Sequence, residues 1–333
     1  METTLALPLL IGLIALALAF DFLNGLHDAA NAIATVVATR LLSPFNAVLF
    51  AAVGNFAAYW FVGLHVAETV GKGIVDKDIV TPAVVFGALI GAMFWNVLTW
   101  LKGIPSSSSH ALIGGLLGAG MTHAGFGAVE SEGTIKTIAA IFLSPTIGFA
   151  LAMSLMLGSS WLFKGVQPRA ANGSFKVLHL FSSGAYAISH GGNDAQKTMG
   201  IITVLLYSTG HLGGEFHVPG WVVLSCYTAI ALGTLSGGWK IIKTMGNKLT
   251  KLNHHSGFCA STAGSVVVFG ASAMGIPIST THAITGSVVG TGAARRASAV
   301  RWSVASRVIV AWFITIPASG AVGALAYLVT RLF

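Results

Sequence analysis

Charge is what this sequence has least of. Only 8% of its 333 residues are Asp, Glu, Lys or Arg, against about 25% in a water-soluble domain. A chain so poor in charge cannot cover a surface that faces water, which excludes an ordinary soluble protein and places the chain in a bilayer. Cysteine is scarce too. Cys226 and Cys259 are the only two, both within apolar stretches, so there is no disulfide framework and no cysteine metal spacing. Packing is their expected role. No Gly-x-Ser-x-Gly elbow surrounds the serine clusters, and no soluble domain is present to host one, which argues against an enzyme. The start of the chain carries Glu2 but neither Lys nor Arg. The apolar run 4–20 therefore lacks the basic n-region of a cleavable signal peptide and reads as a retained first span.

What is present in quantity is apolar sequence: 54% hydrophobic residues and a mean hydropathy of +0.80. The 41 glycines suit helices whose backbones approach closely in lipid. A spanning helix needs roughly 20 mostly apolar residues, and ten stretches come close: 5–38, 46–70, 82–101, 104–124, 135–158, 179–205, 220–239, 256–274, 275–294 and 308–330. The one long polar connection, 159–178, divides the chain into a first membrane repeat at 1–158 and a second at 179–333.

The formal charge of +8 does not point to nucleic acid, because the basic residues cluster in short connections between apolar runs. Lys240, Lys243, Lys248 and Lys251 fill one connection, Arg295, Arg296, Arg301 and Arg307 another, and Lys164, Arg169 and Lys176 mark 159–178. Segments 122–134 and 207–219 hold Glu130, Glu132 and Glu215 but no Lys or Arg. Ten spans threaded by the positive-inside rule put the basic connections in the cytoplasm and both acidic ones outside, with both termini outside. Lys72 and Lys77, offset by Asp76 and Asp78, fall outside against that rule. Five spans per half turn the second repeat upside down relative to the first.

Two motifs occur twice, in the same order. Asn24-Gly25-Leu26-His27-Asp28-Ala29-Ala30-Asn31 is followed by Gly103-Ile104-Pro105-Ser106-Ser107-Ser108-Ser109-His110. His190-Gly191-Gly192-Asn193-Asp194-Ala195-Gln196-Lys197 is followed by Gly275-Ile276-Pro277-Ile278-Ser279-Thr280-Thr281-His282. The Asp motifs are offset by 166 residues and the Ser/Thr-His motifs by 172. Two copies of a unit whose apolar stretches are broken by polar residues are the mark of a secondary transporter. The first and sixth spans are expected to be interrupted at their Asp motifs, and the fourth and ninth to be broken helices or re-entrant hairpins.

Asp21, Asp28 and Asp194 are carboxylates embedded in apolar sequence. Such a charge costs about 2.5–3.5 kcal/mol at a bilayer centre and needs a partner or a watery path. Asp28 and Asp194 recur beside amides; Asp21 has no counterpart. Pairing with Lys197 or a helix end is the structural alternative to a functional role. Asn24, Asn31, Asn193 and Gln196 supply amide oxygens which, with carboxylates, are the hard ligands a sodium ion would use; a lone carboxylate is what a proton carrier would use. His27, His110, His190 and His282 can relay protons or simply satisfy local carbonyls. Ser107, Ser108 and Ser109, and Ser279, Thr280 and Thr281, follow a proline, so hydroxyls and free backbone N–H groups together offer an oxyanion site without arginine. Helix capping alone explains one or two of these hydroxyls but poorly explains three or four. Carboxylates repel an anion. The division expected is cation on the carboxylates, oxyanion on the hydroxyls.

These motifs resemble the inorganic phosphate transporter (Pit) family, and closest to its compact bacterial members. Residues Phe22–Arg40 and Ser189–Lys197 look like its duplicated Gly-Ala-Asn-Asp-type signature, and Gly103–His110 and Gly275–His282 like its paired Ser/Thr-His segments. The resemblance implies phosphate symport with H+ or Na+, no ATP or other cofactor, and alternating access between two inverted repeats. It also implies that Asp28, Asn31, Asn193 and Asp194 lie at the cation sites, where Na+ could bind, and that Ser107–Ser109 and Ser279–Thr281 contact phosphate. His27 stands where the signature usually has Asn, and Lys197 stands opposite Asn31, which favours proton coupling. The expectation is thus an all-α integral membrane protein of about ten spans in two inverted-topology repeats, in the plasma (inner) membrane of a bacterium. Its partners would be inorganic phosphate, free or metal-complexed, and the lipid bilayer, with a homodimer allowed. A sulfate or other oxyanion transporter of the same family, an anion channel, and a membrane enzyme on a lipid phosphate are the competing readings.

Overall fold

The protein was described from a computed structural model covering residues 6–332; Glu2 lies outside the described residues. These form twelve α-helices and no β-strand: α1 (Leu7–Ala38), α2 (Pro44–Phe61), α3 (His65–Lys72), α4 (Pro82–Lys102), α5 (Ser108–Ala124), α6 (Ser131–Leu162), α7 (Pro168–Ser208), α8 (Gly220–Ser236), α9 (Trp239–Asn247), α10 (His254–Ala273), α11 (Thr280–Arg295) and α12 (Trp302–Thr330). Local chemistry sets the boundaries. Pro8, Pro44, Pro82 and Pro168 stand in first turns, where a missing N–H costs nothing. The Ser43 and Thr81 hydroxyls accept from the N–H groups of Asn46 and Val84, and Asn253 and Ser256 cap one another at the start of α10.

Helix lengths of 32, 18, 8, 21, 17 and 32 residues in the first half are echoed by 41, 17, 9, 20, 16 and 29 in the second. Packing repeats with it. α5 lies on α12 as α11 lies on α6, α1 on α8 as α7 on α2, and α9 on α1 as α3 on α7. Each short helix that follows a Ser/Thr-His motif thus leans on the last helix of the other half. Two buried apolar clusters complete the interior. One includes Phe20, Leu89, Leu112 and Met199; the other includes Ile33, Tyr186, Val268 and Ile284. Helix α1 passes from the first cluster to the second, and α7 from the second to the first. In both, the polar motif lies between.

Among the described residues, five helices are long and apolar enough to cross a membrane: α1, α4, α6, α10 and α12. A sixth span results if α2 and α3, bent by 87° at their junction, count as one. The protein is therefore a multi-pass membrane protein. α5 and α11 have 17 and 16 residues, about 24–26 Å at 1.5 Å per residue, short of a hydrocarbon core of about 30 Å.

Two expectations need correction. The Asp motifs do not interrupt their helices, since α1 and α7 run unbroken through Asp28 and Asp194. The polar side chains find partners on other elements and along their own helix, and leave the backbone ladder intact. The connection 159–178 is also mostly helical: residues 159–162 finish α6 and α7 begins at Pro168. In the fourth and ninth stretches α5 and α11 are continuous once begun, and the non-helical turns lie before them, with α4 ending at Lys102 ahead of Gly103 and α10 followed by Gly275.

Close approach depends on glycine at α5 and α11. A side chain at Gly114 would meet Ile316 and Ser319 of α12, and one at Gly118 would meet Gly320. At Gly286 and Gly290 it would meet the backbones of Pro145 and Phe149 on α6. Overpacking typically costs about 1–3 kcal/mol. Gly286→Val should therefore lower the thermal unfolding midpoint of the detergent-solubilised protein. Gly158→Ala, where a Cβ has nothing within 4 Å, should leave the midpoint unchanged or raise it.

Candidate ion and oxyanion site

The site begins at two chain reversals. Gly103 and Gly275 have φ of 64° and 68°, left-handed values that a side chain disfavours. Each leads through a proline into a short extended stretch and then a helix. The Ser107 hydroxyl accepts from the His110 N–H at 3.1 Å, and the Ser279 hydroxyl from the His282 N–H at 3.2 Å. These two hydroxyls are thus N-caps. The remaining first-turn N–H groups of α5 and α11 are the unpaired donors that every helix start leaves.

Of the next two residues of each helix, Ser108, Thr280 and Thr281 reach the carboxylates and Ser109 meets Lys197. Ser108 donates to Asp28 Oδ2 at 2.8 Å and lies 2.6 Å from Asn24 Oδ1. Thr281, from the other half, donates to Asp28 Oδ1 at 3.5 Å and accepts from Asn31 Nδ2 at 2.8 Å. His27 completes this half, with Nδ1 2.7 Å from Asp28 Oδ1 and Nε2 3.1 Å from Thr99 Oγ1. Ser106 bonds Thr99 at 2.9 Å.

Around Asp194 the hydroxyl contact repeats, while His190, Asn193 and Lys197 stand where the first half has Asn24, His27 and Asn31. Thr280 donates to Asp194 Oδ2 at 3.0 Å, as Ser108 does to Asp28. Lys197 donates to Asp194 Oδ1, to the Ser109 hydroxyl and, at 2.8 Å, to the carbonyl of Ile278. His190 Nε2 lies 3.2 Å from Asp194 Oδ2 and its Nδ1 is 3.0 Å from Asn55 Oδ1. Asn193 donates to Ser272 at 2.8 Å, while its Oδ1 is buried without a partner.

Both helix starts therefore touch both halves of one buried cluster. Asp28, His190 and Asp194 each offer an atom within 4.8 Å of the others, the only such group among the described residues. Two carboxylates and an imidazole at that spacing can share a cation. Just beyond, the rings of His110 and His282 meet edge to face at 4.7 Å, and His282 stacks on Trp312 at 3.8 Å. Gln196 lies apart from this cluster: its Oε1 accepts from the Val66 and Ala67 N–H groups at 3.0 and 3.3 Å, capping α3. Asp21 is also separate, with neither carboxylate oxygen paired.

Sequence reading did not single out Asn55, Thr99, Ser272 or the proline pair that faces the short helices. Pro145 and Pro317 lie inside α6 and α12 with the same 172-residue offset as the Ser/Thr-His motifs. That shared offset is the signal that could have found them. Asn55, which also donates to Thr234 at 2.8 Å, has no such repeat to mark it.

The two reversals differ in what covers them. At Gly275 a cavity of about 480 Å³ opens, lined by His65, Glu68, Lys72, Glu130 and Lys136, and reaching Pro277. At Gly103 the polar groups are engaged instead: Thr244 of α9 donates to the Gly103 carbonyl at 3.1 Å and Lys240 to that of Leu101 at 3.3 Å.

A helical membrane protein whose halves join around one buried cluster of carboxylates, amides and hydroxyls has the build of a membrane transporter. The chain belongs to the phosphate transporter family, whose sequence model matches residues 24–323. It is 60% identical over 332 residues to a probable low-affinity inorganic phosphate transporter of Rhizobium meliloti, covering 100% of this chain and 99% of that one. A protein of the same description from Bacillus subtilis is 43% identical over 335 residues, with 100% and 99% covered. Among solved structures, a chain described as the sodium-dependent phosphate transporter superimposes with a TM-score of 0.88 at 26% identity, over 98% of this chain and 100% of that one. The protein is accordingly a transporter and not an enzyme.

Proposed function

We propose that this protein imports inorganic phosphate by symport with H+ or Na+ across a bacterial plasma (inner) membrane, through alternating access of two inverted repeats. One observation carries the reading: the hydroxyl-bearing starts of α5 and α11 converge on the two buried carboxylates, Asp28 and Asp194. An oxyanion held by hydroxyls and helix N–H groups beside two carboxylates is repelled unless a cation sits between them. Binding of the two is thereby coupled. Ser108, Ser109, Thr280 and Thr281 would hold the phosphate, with Ser107 and Ser279 fixing the helix starts. Asp28, Asn24, Asn31, Asn193 and Asp194 would hold the coupling ion. His27 and His190 touch the carboxylates and are the nearest groups for a proton; His110 and His282 stand one turn behind.

Ten spans follow if each long or broken helical stretch crosses once, with α2–α3 as a broken span and α5 and α11 starting within the membrane. The opposite passage of α1 and α7 between the two apolar clusters supports inversion. So does the pairing of the two outward-side lysines that oppose the charge rule. Lys77 bonds Asp78 and Tyr207, both at 2.8 Å, which holds its ammonium above the usual lysine range, Asp78 contributing most, and Lys72 lies 3.8 Å from Glu68. An open cavity at Gly275 beside a latched Gly103 supports a state with access from one side only.

Asp28→Asn keeps the shape of the side chain and removes its charge. Uptake of labelled phosphate by cells carrying it should fall by about tenfold or more, as for loss of a hydrogen-bonded charge worth about 1.5–3 kcal/mol, with the amount in the membrane unchanged. Wild-type accumulation by the variant would refute the coupling role. Thr281→Val should weaken apparent phosphate affinity while the protein stays folded; unchanged affinity would remove this hydroxyl from the anion site. For topology, single cysteines at Gly127 and Ser298, in a chain lacking Cys226 and Cys259, should react with an impermeant thiol reagent from opposite sides. Labelling of both from one side would refute the inverted arrangement.

A further inference from the structure

The two halves of the cluster differ most at one position, where Asn31 in the first copy corresponds to Lys197 in the second, each three residues after its Asp. The Lys197 ammonium is fully buried. Its three contacts are a carboxylate oxygen of Asp194, the hydroxyl of Ser109 and the carbonyl of Ile278. Those are the oxygen types that hold a bare alkali cation. The corresponding residues in the other half are Asp28, Thr281 and Ser106, by the 166- and 172-residue offsets. There, Asp28 Oδ1 lies 3.5 Å from Thr281 Oγ1, and the neutral amide of Asn31 points to Thr281. No ammonium fills that half.

We propose that Lys197 is a tethered cation: it permanently occupies one of two symmetry-related cation sites, so that only the Asp28 site exchanges an ion during transport. This rests on the proposed symport and specifies its stoichiometry. A buried carboxylate is costly unless a cation or a proton neutralises it. At Asp194 the cation is covalently attached and cannot leave with the substrate; Asp28 has beside it the imidazole of His27 and neutral donors, so the proton or ion that neutralises it comes from solution. One external cation fewer is then bound and released in each cycle than in a transporter with amides at both positions.

The test is to restore the first-half residue. Lys197→Asn should create a second exchangeable site, so Na+ should stabilise the purified, phosphate-free variant against heat far more than it stabilises wild type, because a ligand bound only to the folded state raises the unfolding midpoint. Lys197→Met, which fills the space but offers neither charge nor oxygen, should show no such sodium-dependent shift. Phosphate binding by Lys197→Asn should be at least about tenfold weaker in choline than in sodium medium, a ratio well above that of wild type. Should Lys197→Asn gain no sodium-dependent stability over wild type, the proposal is overturned. It is equally overturned if phosphate binding is lost in both media, which would make Lys197 an anion ligand. The heat measurement contains no phosphate, so it judges Lys197 even if the protein moves a different anion.

Discussion

The structure depends on two carboxylates kept inside an apolar protein. Removing Asp28 and Asp194 from water is costly unless each is met by donors and positive charge, and the fold is arranged to meet them. Two helices start in the interior, at Ser107 and Ser279, where their capping leaves hydroxyls free to reach the acids. To start there, the chain must reverse at Gly103 and Gly275, and the short helices must lie close against α12 and α6, which their glycines allow. Duplication is what brings two such units face to face. Asp28 is contacted from both halves, by Ser108 and by Thr281, whereas Asp194 is met from its own half by Thr280, His190 and Lys197, and it is Lys197 that the first half reaches through Ser109.

That shared cluster links structure to transport. Donors for an oxyanion and acceptors for a cation lie within a few ångströms, so the charge of one ligand sets the affinity for the other. In the proposed alternating access, movement of one half against the other would make or break contacts such as Thr281 to Asp28, which cross between the halves. Access and occupancy would then be mechanically connected. The polar cavity beside Gly275 and the Thr244–Gly103 contact on the opposite reversal are the two ends of that connection.

Much of this was legible in the sequence. Low charge gave the membrane, glycine and proline before a hydroxyl run gave the interior helix starts, and repetition marked Asp28 and Asp194 as a pair. Three things were not legible. Polar runs inside apolar helices read as breaks, because sequence does not show that Ser108 and Thr280 will reach them from other helices; α1 and α7 are continuous all the same. Gln196 reads as an ion ligand from its neighbours, yet the bend between α2 and α3 exposes N–H groups at Val66 and Ala67 that it caps. Asn55 and Thr99, which orient His190 and His27, sit in ordinary-looking helices, and only tertiary packing brings them to the site.

The central claim is that phosphate moves because a cation moves with it. Purified protein in liposomes, loaded on one side with labelled phosphate and given a pH gradient or a sodium gradient separately, tests this directly. At least one of the two gradients should drive accumulation above equilibrium, and an ionophore that collapses that gradient should abolish it. Equilibration at the same rate and to the same level with either gradient, or with none, would contradict the account and leave a passive path in its place.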